Sequence, residues 1–391
     1  MKKIKWPLIV GLVLVGIYIA TVYIFPEKLD REQNKIKQLP PYQASEKAQT
    51  LYNSLDFIAD LHCDALLWSR DLTVKNTIGH VDFPRMQEAN MVLQAFTIVT
   101  KVPQGQNFSK NTGEAFDMMT LMNFLQAKPL SNWFSLFERA VYQSRKLHNL
   151  ATDYNNEFVV VENADDLNRL ISLRKKNNRV VGGFLGLEGG HCLEGKMENL
   201  EKLYEEGVRM IGPTHFFDNE LGGSAHGVSK EGLSEFGKKV IQRMDELSMI
   251  IDLSHNSPAM IDDILAQTKR PVFVSHTGVK GTMDNPRNLS DEHVRQIAAN
   301  GGLIGVAYFK GAVDTPLTKG IVDAMKYIKS IAGVDCIALG SDYDGSMTAP
   351  FDVTGLPLLV EELLEQGFQE DEIRAIMGEN VKKFMLKNLP K

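Results

Sequence analysis

Apolar positions along the chain gather into eight short runs, at 57–64 (FIADLHCD), 91–99 (MVLQAFTIV), 180–188 (VVGGFLGLE), 208–215 (VRMIGPTH), 249–255 (MIIDLSH), 271–276 (PVFVSH), 303–309 (LIGVAYF) and 336–342 (CIALGSD). They are nearly continuous in apolar residues, as strands covered on both faces should be. Longer amphipathic stretches separate them, such as 233–248, 257–268 and 290–301, the last with Ser290 as a natural N-cap and Gly301 as a natural stop. Strands alternating with helices imply parallel βαβ units. Eight such units suit closure, so the expected fold is α/β, a (β/α)8 TIM-type barrel. The interval 100–156 exceeds one crossover and is expected to hold several helices, while 370–386 reads as a closing helix pair broken near Gly378.

One apolar run differs in kind. Residues 6–25, WPLIVGLVLVGIYIATVYIF, carry no charge, enough for a helix to cross a hydrocarbon core of about 30 Å. Lys2, Lys3 and Lys5 precede it, and no small-residue A-x-A site follows, which favours a retained anchor over a cleaved signal. Lys28, Arg31, Lys35 and Lys37 flank the other side, but the tight basic cluster at the extreme N-terminus places the folded part outside the cytoplasm. The expected organisation is a basic tail (1–5), a transmembrane signal-anchor helix (6–25), a tether stiffened by Pro40 and Pro41 (26–50) and one barrel domain (51–391).

Composition narrows the function classes. A net charge of -6 offers no basic footprint, so nucleic acid is not an expected partner. Cys63, Cys192 and Cys336 are too few and scattered for a disulfide framework and read as reduced or buried thiols. Alternation along the first strand should turn Cys63 away from its neighbours His62 and Asp64. The 16 methionines follow no helical stripe and suit core packing.

The chemistry sits at the ends of the runs. His62 and Asp64 share one side of the first strand, Glu188 closes the third, and His255 and His276 close two consecutive strands. A carboxylate ending an apolar strand must be paired, protonated or bound to a cation, because burying it alone is costly. Five such residues at strand ends meet at the C-terminal rim of a barrel. Imidazole and carboxylate ligands suit zinc and related metals, and five exceed one tetrahedral site with an open position but suit two ions if Glu188 bridges them. Two ions about 3.5–4 Å apart lower the pKa of a water between them and polarise a carbonyl, which points to metal-assisted hydrolysis of an amide or ester. His215, Arg287 and Asp342 fall on the same rim and suit an oxyanion-binding imidazole, a carboxylate clamp and a proton carrier or ammonium-binding carboxylate. Asp344 competes with Asp342, but the earlier position is nearer the strand end. His191 lies past a glycine turn and is a lesser candidate. His80, His148, His226 and His293 occupy polar contexts and are expected to be solvated.

The motifs D-x-H-x-D at Asp60, His62 and Asp64, G-x-E-G-G-H around Glu188, T-H at His215, D-L-S-H at His255, S-H at His276, R-N at Arg287 and G-S-D-Y-D-G at Asp342 resemble the membrane (renal) dipeptidase family. These are zinc dipeptidases with an amidohydrolase-like barrel, and the resemblance spans about residues 51–385. It implies that His62 and Asp64 bind one Zn2+, His255 and His276 the other, and that Glu188 bridges them. It further implies that His215 supports the tetrahedral intermediate and that Arg287 holds the dipeptide carboxylate. Asp342 would take the hydroxide proton, contact the substrate amino group and return a proton to the leaving amine. The implied substrate is a dipeptide, including those with a C-terminal D-residue; deacylation of N-acyl-D-amino acids or opening of a β-lactam are alternatives in the same site. A tethered scaffold would be marked by loss of a ligand or of Asp342, and none is lost. Cys63 stands where the family motif suggests a polar residue. The N-terminal helix replaces the lipid anchor common in animal members and no apolar C-terminal tail is present, which points to the bacterial envelope; a homodimer is a possible assembly.

Overall fold

The computed structural model describes residues 5–154, 157–315 and 317–391. Eight parallel strands organise it: β1 Ala59–Asp60, β2 Leu93–Val99, β3 Val181–Glu188, β4 Val208–Gly212, β5 Ile250–Ile251, β6 Phe273–Thr277, β7 Leu303–Val306 and β8 Ile337–Leu339. Their order is β5-β4-β3-β2-β1-β8-β7-β6, and a parallel bridge between Asp252 and Phe273 joins the two ends. This is the closed barrel that the apolar runs imply. All eight strands contribute to one apolar cluster, through Ala59, Leu93, Phe184, Met210, Ile250, Phe273, Leu303 and Ala338. Alternate residues such as Phe96, Leu185 and Val274 join the larger cluster under the helices, so the period of two separates barrel interior from helix layer.

Ser234, Ser257 and Ser290 cap the helices Glu235–Glu246, Pro258–Gln267 and Asp291–Ala299, each hydroxyl accepting a backbone N–H three residues on. The long interval holds the helices Met118–Leu125, Ser131–Phe134 and Leu136–Asp153. At the C-terminus, a Cβ on Gly378 would lie 2.3 Å from the carbonyl oxygen of Phe57. The closing helices therefore meet at a residue without a side chain.

The ladders are shorter than the runs. Only Ala59–Asp60 and Ile250–Ile251 form ladders within 57–64 and 249–255, with single bridges at Cys63 and Asp252, because the chain leaves the sheet to build the rim. A three-residue strand, Phe158–Val160, too short to stand out as an apolar run, pairs with the start of β3.

The reading of 26–50 as a tether is corrected. The apolar helix, α1, spans Lys5–Gln33 and runs on through Pro26. Beyond it, Lys35–Ile36 pairs in parallel with Thr348–Ala349, and Ser45 N–H donates to Glu361 at 2.8 Å. Asp30 and Asn34, which look solvated in sequence, are buried: Asp30 pairs with Arg70 at 2.6 Å, and Asn34 accepts the N–H of Ser346 at 3.0 Å. Distant partners give these polar groups a reason to dock. Within α1, Leu8–Gln33 is long and apolar enough to cross a membrane, and its most apolar window is unburied by protein. Lys2 and Lys3 lie outside the described residues, as does the side chain of Lys5.

Candidate metal centre

The rim gathers His62, Asp64, Glu188, His215, His255, His276 and Asp342 into one buried cluster. The Nε2 atoms of His255 and His276 lie 3.0 Å apart, at 3.0 and 3.3 Å from Glu188 Oε1. His62 Nε2 stands 3.6 Å from Asp64, 3.7 Å from Glu188 and 3.7 Å from Asp342, and His215 Nε2 is 3.4 Å from Glu188 Oε2. Three groups could each hold an ion: His62, Asp64 and Glu188; Glu188, His215 and His255; and His62, His276 and Asp342. Glu188 and His62 each belong to two of them, and of these only Glu188 has two carboxylate oxygens to offer in a bridging role.

The histidine tautomers test whether a metal fits. Ser275 Oγ donates to Asp252 Oδ2 at 2.6 Å and lies 3.0 Å from Nδ1 of both His62 and His276. A hydroxyl has one proton, already given to Asp252, so both imidazoles must donate their Nδ1–H to the serine. Each therefore turns Nε2, the ring nitrogen left free for a ligand, to the cluster. His62 Nε2 is buried without a hydrogen-bond partner. Imidazole nitrogens that face one another beside carboxylates suit divalent cations.

A second carboxylate layer sets this geometry. Asp60 accepts from His62 N–H (3.0 Å), Gln94 Nε2 (2.9 Å) and Ser341 N–H (2.9 Å), tying the end of β1 to that of β8. Asp252 likewise accepts from the N–H groups of Ser254 and Ser275. Thr97 donates to Asp64 at 2.5 Å. His255 and Asp342 both have a left-handed backbone, at φ of 64° and 63°, which non-glycine residues adopt mainly where the surroundings compel it.

Burial pushes His215, His255 and His276 well below the usual imidazole range, and neighbouring cationic groups add to the effect. For His62, burial acts downward, but the carboxylates of Glu188, Asp64 and Asp342 lift it to about 10. Burial raises Glu188 well above its ordinary value and Asp342 to about 8, with Asp64 adding to both and His62 opposing. This is a cluster of acids short of positive charge, and bound cations would reverse these directions.

The remaining candidates separate. Asp344 faces away from the cluster: its carboxylate meets Arg70 at 2.8 Å and the N–H of His80 at 2.8 Å. Cys63 Sγ lies 3.9 Å from that same carboxylate, turned from the rim as alternation requires, and all three cysteines are buried and free. Arg287 is buried behind His276, donating to its carbonyl oxygen and to Thr277 Oγ1 (3.3 Å), with Nε unpaired; it is not part of the cavity wall. His191 bonds Thr100 at 2.9 Å, outside the cluster. Gly189, at φ 94°, must be glycine, since a Cβ there would lie 2.4 Å from the His191 ring.

The expectation that His80, His226 and His293 are solvated is corrected, since all three are buried. His80 accepts the N–H of Asp344, His226 Nδ1 meets the carbonyl of Phe108 at 3.0 Å, and His293 Nε2 meets Asp262 at 3.1 Å. Their polar sequence contexts do not reveal which loops fold over the rim. His148 is half-buried, 3.6 Å from Glu162.

A cavity of about 630 Å³ opens over Asp64, Glu188, His215, His255, His276 and Asp342. Phe108, Phe216, Phe309 and Met347 form apolar walls, and Lys37 reaches it from the N-terminal arm. Sequence reasoning missed all five: four lie on loops and an arm that carry no periodic signal, and Phe309 closes the run 303–309 as one more apolar residue.

A family model described as Membrane dipeptidase (Peptidase family M19) matches residues 45–388. Mouse Dipeptidase 3 is 32% identical over 237 residues, covering 58% of this chain and 46% of the relative, and the rat protein is 31% identical over the same length. The match thus spans about half the length of these curated relatives. Among solved structures, the probable dipeptidase PvdM from Pseudomonas aeruginosa aligns with a TM-score of 0.73 at 18% identity, covering 88% of this chain and 98% of that one. Dipeptidase AC, a metallo peptidase of family M19, aligns at 0.68 and 21%, covering 86% and 99%. A metallo peptidase from Rhodobacter sphaeroides, liganded with a phosphinate mimic of the dipeptide L-Ala-D-Ala, aligns at 0.65 and 20%, covering 85% and 99%. These structural likenesses show the fold.

Proposed function

Because the chain belongs to the membrane dipeptidase family, we propose that it is a membrane-anchored, zinc-dependent dipeptidase acting on dipeptides, including those with a C-terminal D-residue. The observation that carries this reading is the serine between two histidines: Ser275 orients His62 and His276 so that both turn Nε2 to Glu188 and its neighbours. His62 and Asp64 would hold one zinc, His255 and His276 the other, and Glu188 both. When bound, the ions supply an activated water and polarise the scissile carbonyl.

The rest falls to the chain. Asp342, which opens on the cavity 3.7 Å from His62, would be a carboxylate beside the bound ions, able to take a proton from the attacking water and give it to the leaving amine. As a carboxylate it can also contact the substrate ammonium group. His215, kept neutral by burial, has an N–H to offer the developing oxyanion. The clamp role that the resemblance implies for Arg287 requires its guanidinium, engaged behind His276 with only Nε unpaired, to turn toward the cavity when substrate binds. The dipeptide mimic in the Rhodobacter sphaeroides relative supports the substrate class and the D-residue. The apolar stretch of α1 supports a single-pass anchor, and the N-terminal basic cluster supports a barrel outside the cytoplasm.

The test is turnover by the full chain in detergent, loaded with zinc, on L,L- and L,D-dipeptides, N-acyl-D-amino acids and a β-lactam. Dipeptide hydrolysis with two zinc ions per chain is expected. Two bound ions with no dipeptide turnover would overturn the reading, and hydrolysis of the other substrates alone would replace it with the corresponding amidohydrolase reaction.

A further inference from the structure

We propose that the helices Met118–Leu125 and Ser131–Phe134 lie in the surface of the bilayer that α1 crosses, so that the barrel is docked on the membrane. This rests on the anchoring proposed above and adds a second membrane contact to it.

Residues 118–137 carry a single charge, Lys128. That ammonium is folded over the ring of Tyr142, 4.8 Å from its centroid. The polar Asn123 is buried and satisfied within its own helix, donating to Met119 O at 2.6 Å. What faces outward is largely apolar: Leu121, Phe124, Leu130 and Phe134 are exposed, Phe134 at 82%, with Ser131 the polar exception. A patch of this kind on a folded domain marks an interaction surface.

Contact with α1 identifies the occupant. Tyr18, inside the uncharged span 6–25, lays its ring 4.9 Å from that of Phe124 and donates its hydroxyl proton to the Phe124 carbonyl at 3.1 Å. On its other side Phe124 meets Trp133 at 5.1 Å. Further along α1, Leu29 packs with Met119 and Met122. The patch therefore runs beside the spanning helix itself.

Depth agrees. Tyr18 precedes Phe25, the last residue of the span, by seven positions, or roughly 10 Å at about 1.5 Å per residue. Interfacial helices sink their apolar faces by about 5–10 Å. If residues 6–25 fill the hydrocarbon core, Phe124 lies at that depth, with Trp133 in the zone that tryptophan favours. The angle is fixed, because Asp30 pairs with Arg70 and Asn34 with Ser346 where α1 meets the barrel. Leu67 and Val102 belong both to this packing and to the cavity wall, so the docked face borders the cavity mouth.

The native cysteines are all buried, so one new surface thiol can be labelled selectively. The full chain carrying Phe134→Cys, with Leu130→Cys as a second variant, is labelled with an environment-sensitive fluorophore. It is reconstituted in phosphatidylcholine and phosphatidylglycerol vesicles containing a spin-labelled lipid quencher. Val13→Cys reports on the anchor, and Lys239→Cys, on the helix Glu235–Glu246, on an exposed position outside the patch. The expected result is loss of fluorescence at 13, 130 and 134 and none at 239. Quenching at 13 but not at 130 or 134 would overturn the docked face and leave the anchor standing, and shielding of 134 from aqueous iodide without lipid quenching would assign the patch to a protein partner. No quenching at 13 would overturn the anchor and the docked face together.

Discussion

Asp342 and Asp344 stand two residues apart, both with a left-handed backbone near φ 64°, and their surroundings are opposite. Asp344 lies in the strut behind the rim. Burial acts to raise its pKa, but Arg70, His80 and backbone N–H groups outweigh this and hold its carboxyl below the usual range. Asp342 opens on the cavity among Asp64, Glu188 and His62, and burial lifts it to about 8. The two differ in how many donors the fold aims at each. Where the protein has a fixed joint between N-terminal arm and barrel it satisfies the charge, and at the cavity it leaves the charge to be balanced by something bound.

Exchanging each for asparagine tests this contrast. The largest effect is expected from Asp342→Asn: kcat should fall by about 10²–10⁴-fold, while metal content and circular dichroism stay unchanged. A rate within about tenfold of the parent would remove Asp342 from proton transfer. Asp344→Asn should instead act on stability, because it leaves the buried Arg70 short of a partner. A loss of about 3–5 kcal/mol is expected in denaturant unfolding, with dipeptide turnover retained at low temperature. Unchanged stability would mean that the strut does not depend on this pair.

A smaller effect, in the metal-free protein, has opposite signs at the two positions. A carboxyl raised in the folded state keeps its proton there after the unfolded chain has lost it, so folding weakens as pH rises from about 4 to about 8. Metal-free Asp342→Asn should therefore gain stability over the parent, by at least about 1 kcal/mol at pH 8, and the gain should shrink towards pH 4. A lowered carboxyl contributes stability above about pH 4 that is lost as pH falls through its folded value. The deficit of Asp344→Asn should accordingly persist at neutral pH and narrow in acid. Parallel pH profiles for the two variants in urea unfolding would contradict the contrast.

Much of this was legible in sequence, for a local reason. Each barrel strand is a short apolar run, and His62, Glu188, His255 and His276 fall at the ends of such runs, so burial and rim position follow from the same pattern. The second layer was also present in the text, as the aspartates of D-x-H-x-D and D-L-S-H and the serine of S-H. Its function was not, because one Ser275 hydroxyl orients both His62 and His276, which lie 214 residues apart. The burial of His80, His226 and His293, the docking of 26–50 and the position of Arg287 behind His276 were likewise hidden. Each depends on partners far away along the chain.

By itself the sequence determined the alternation of strands and helices, an uncharged span long enough for a bilayer, and the set of metal-suited side chains at strand ends. These follow from the periodicity and chemistry of neighbouring residues. Tertiary structure alone decided how donors are shared between two nearby aspartates, which nitrogen each histidine presents, and that the arm after α1 is a strut and not a leash. Those outcomes depend on where hydrogen-bond donors converge in space, and barrel closure brings together donors from strands that are remote in sequence.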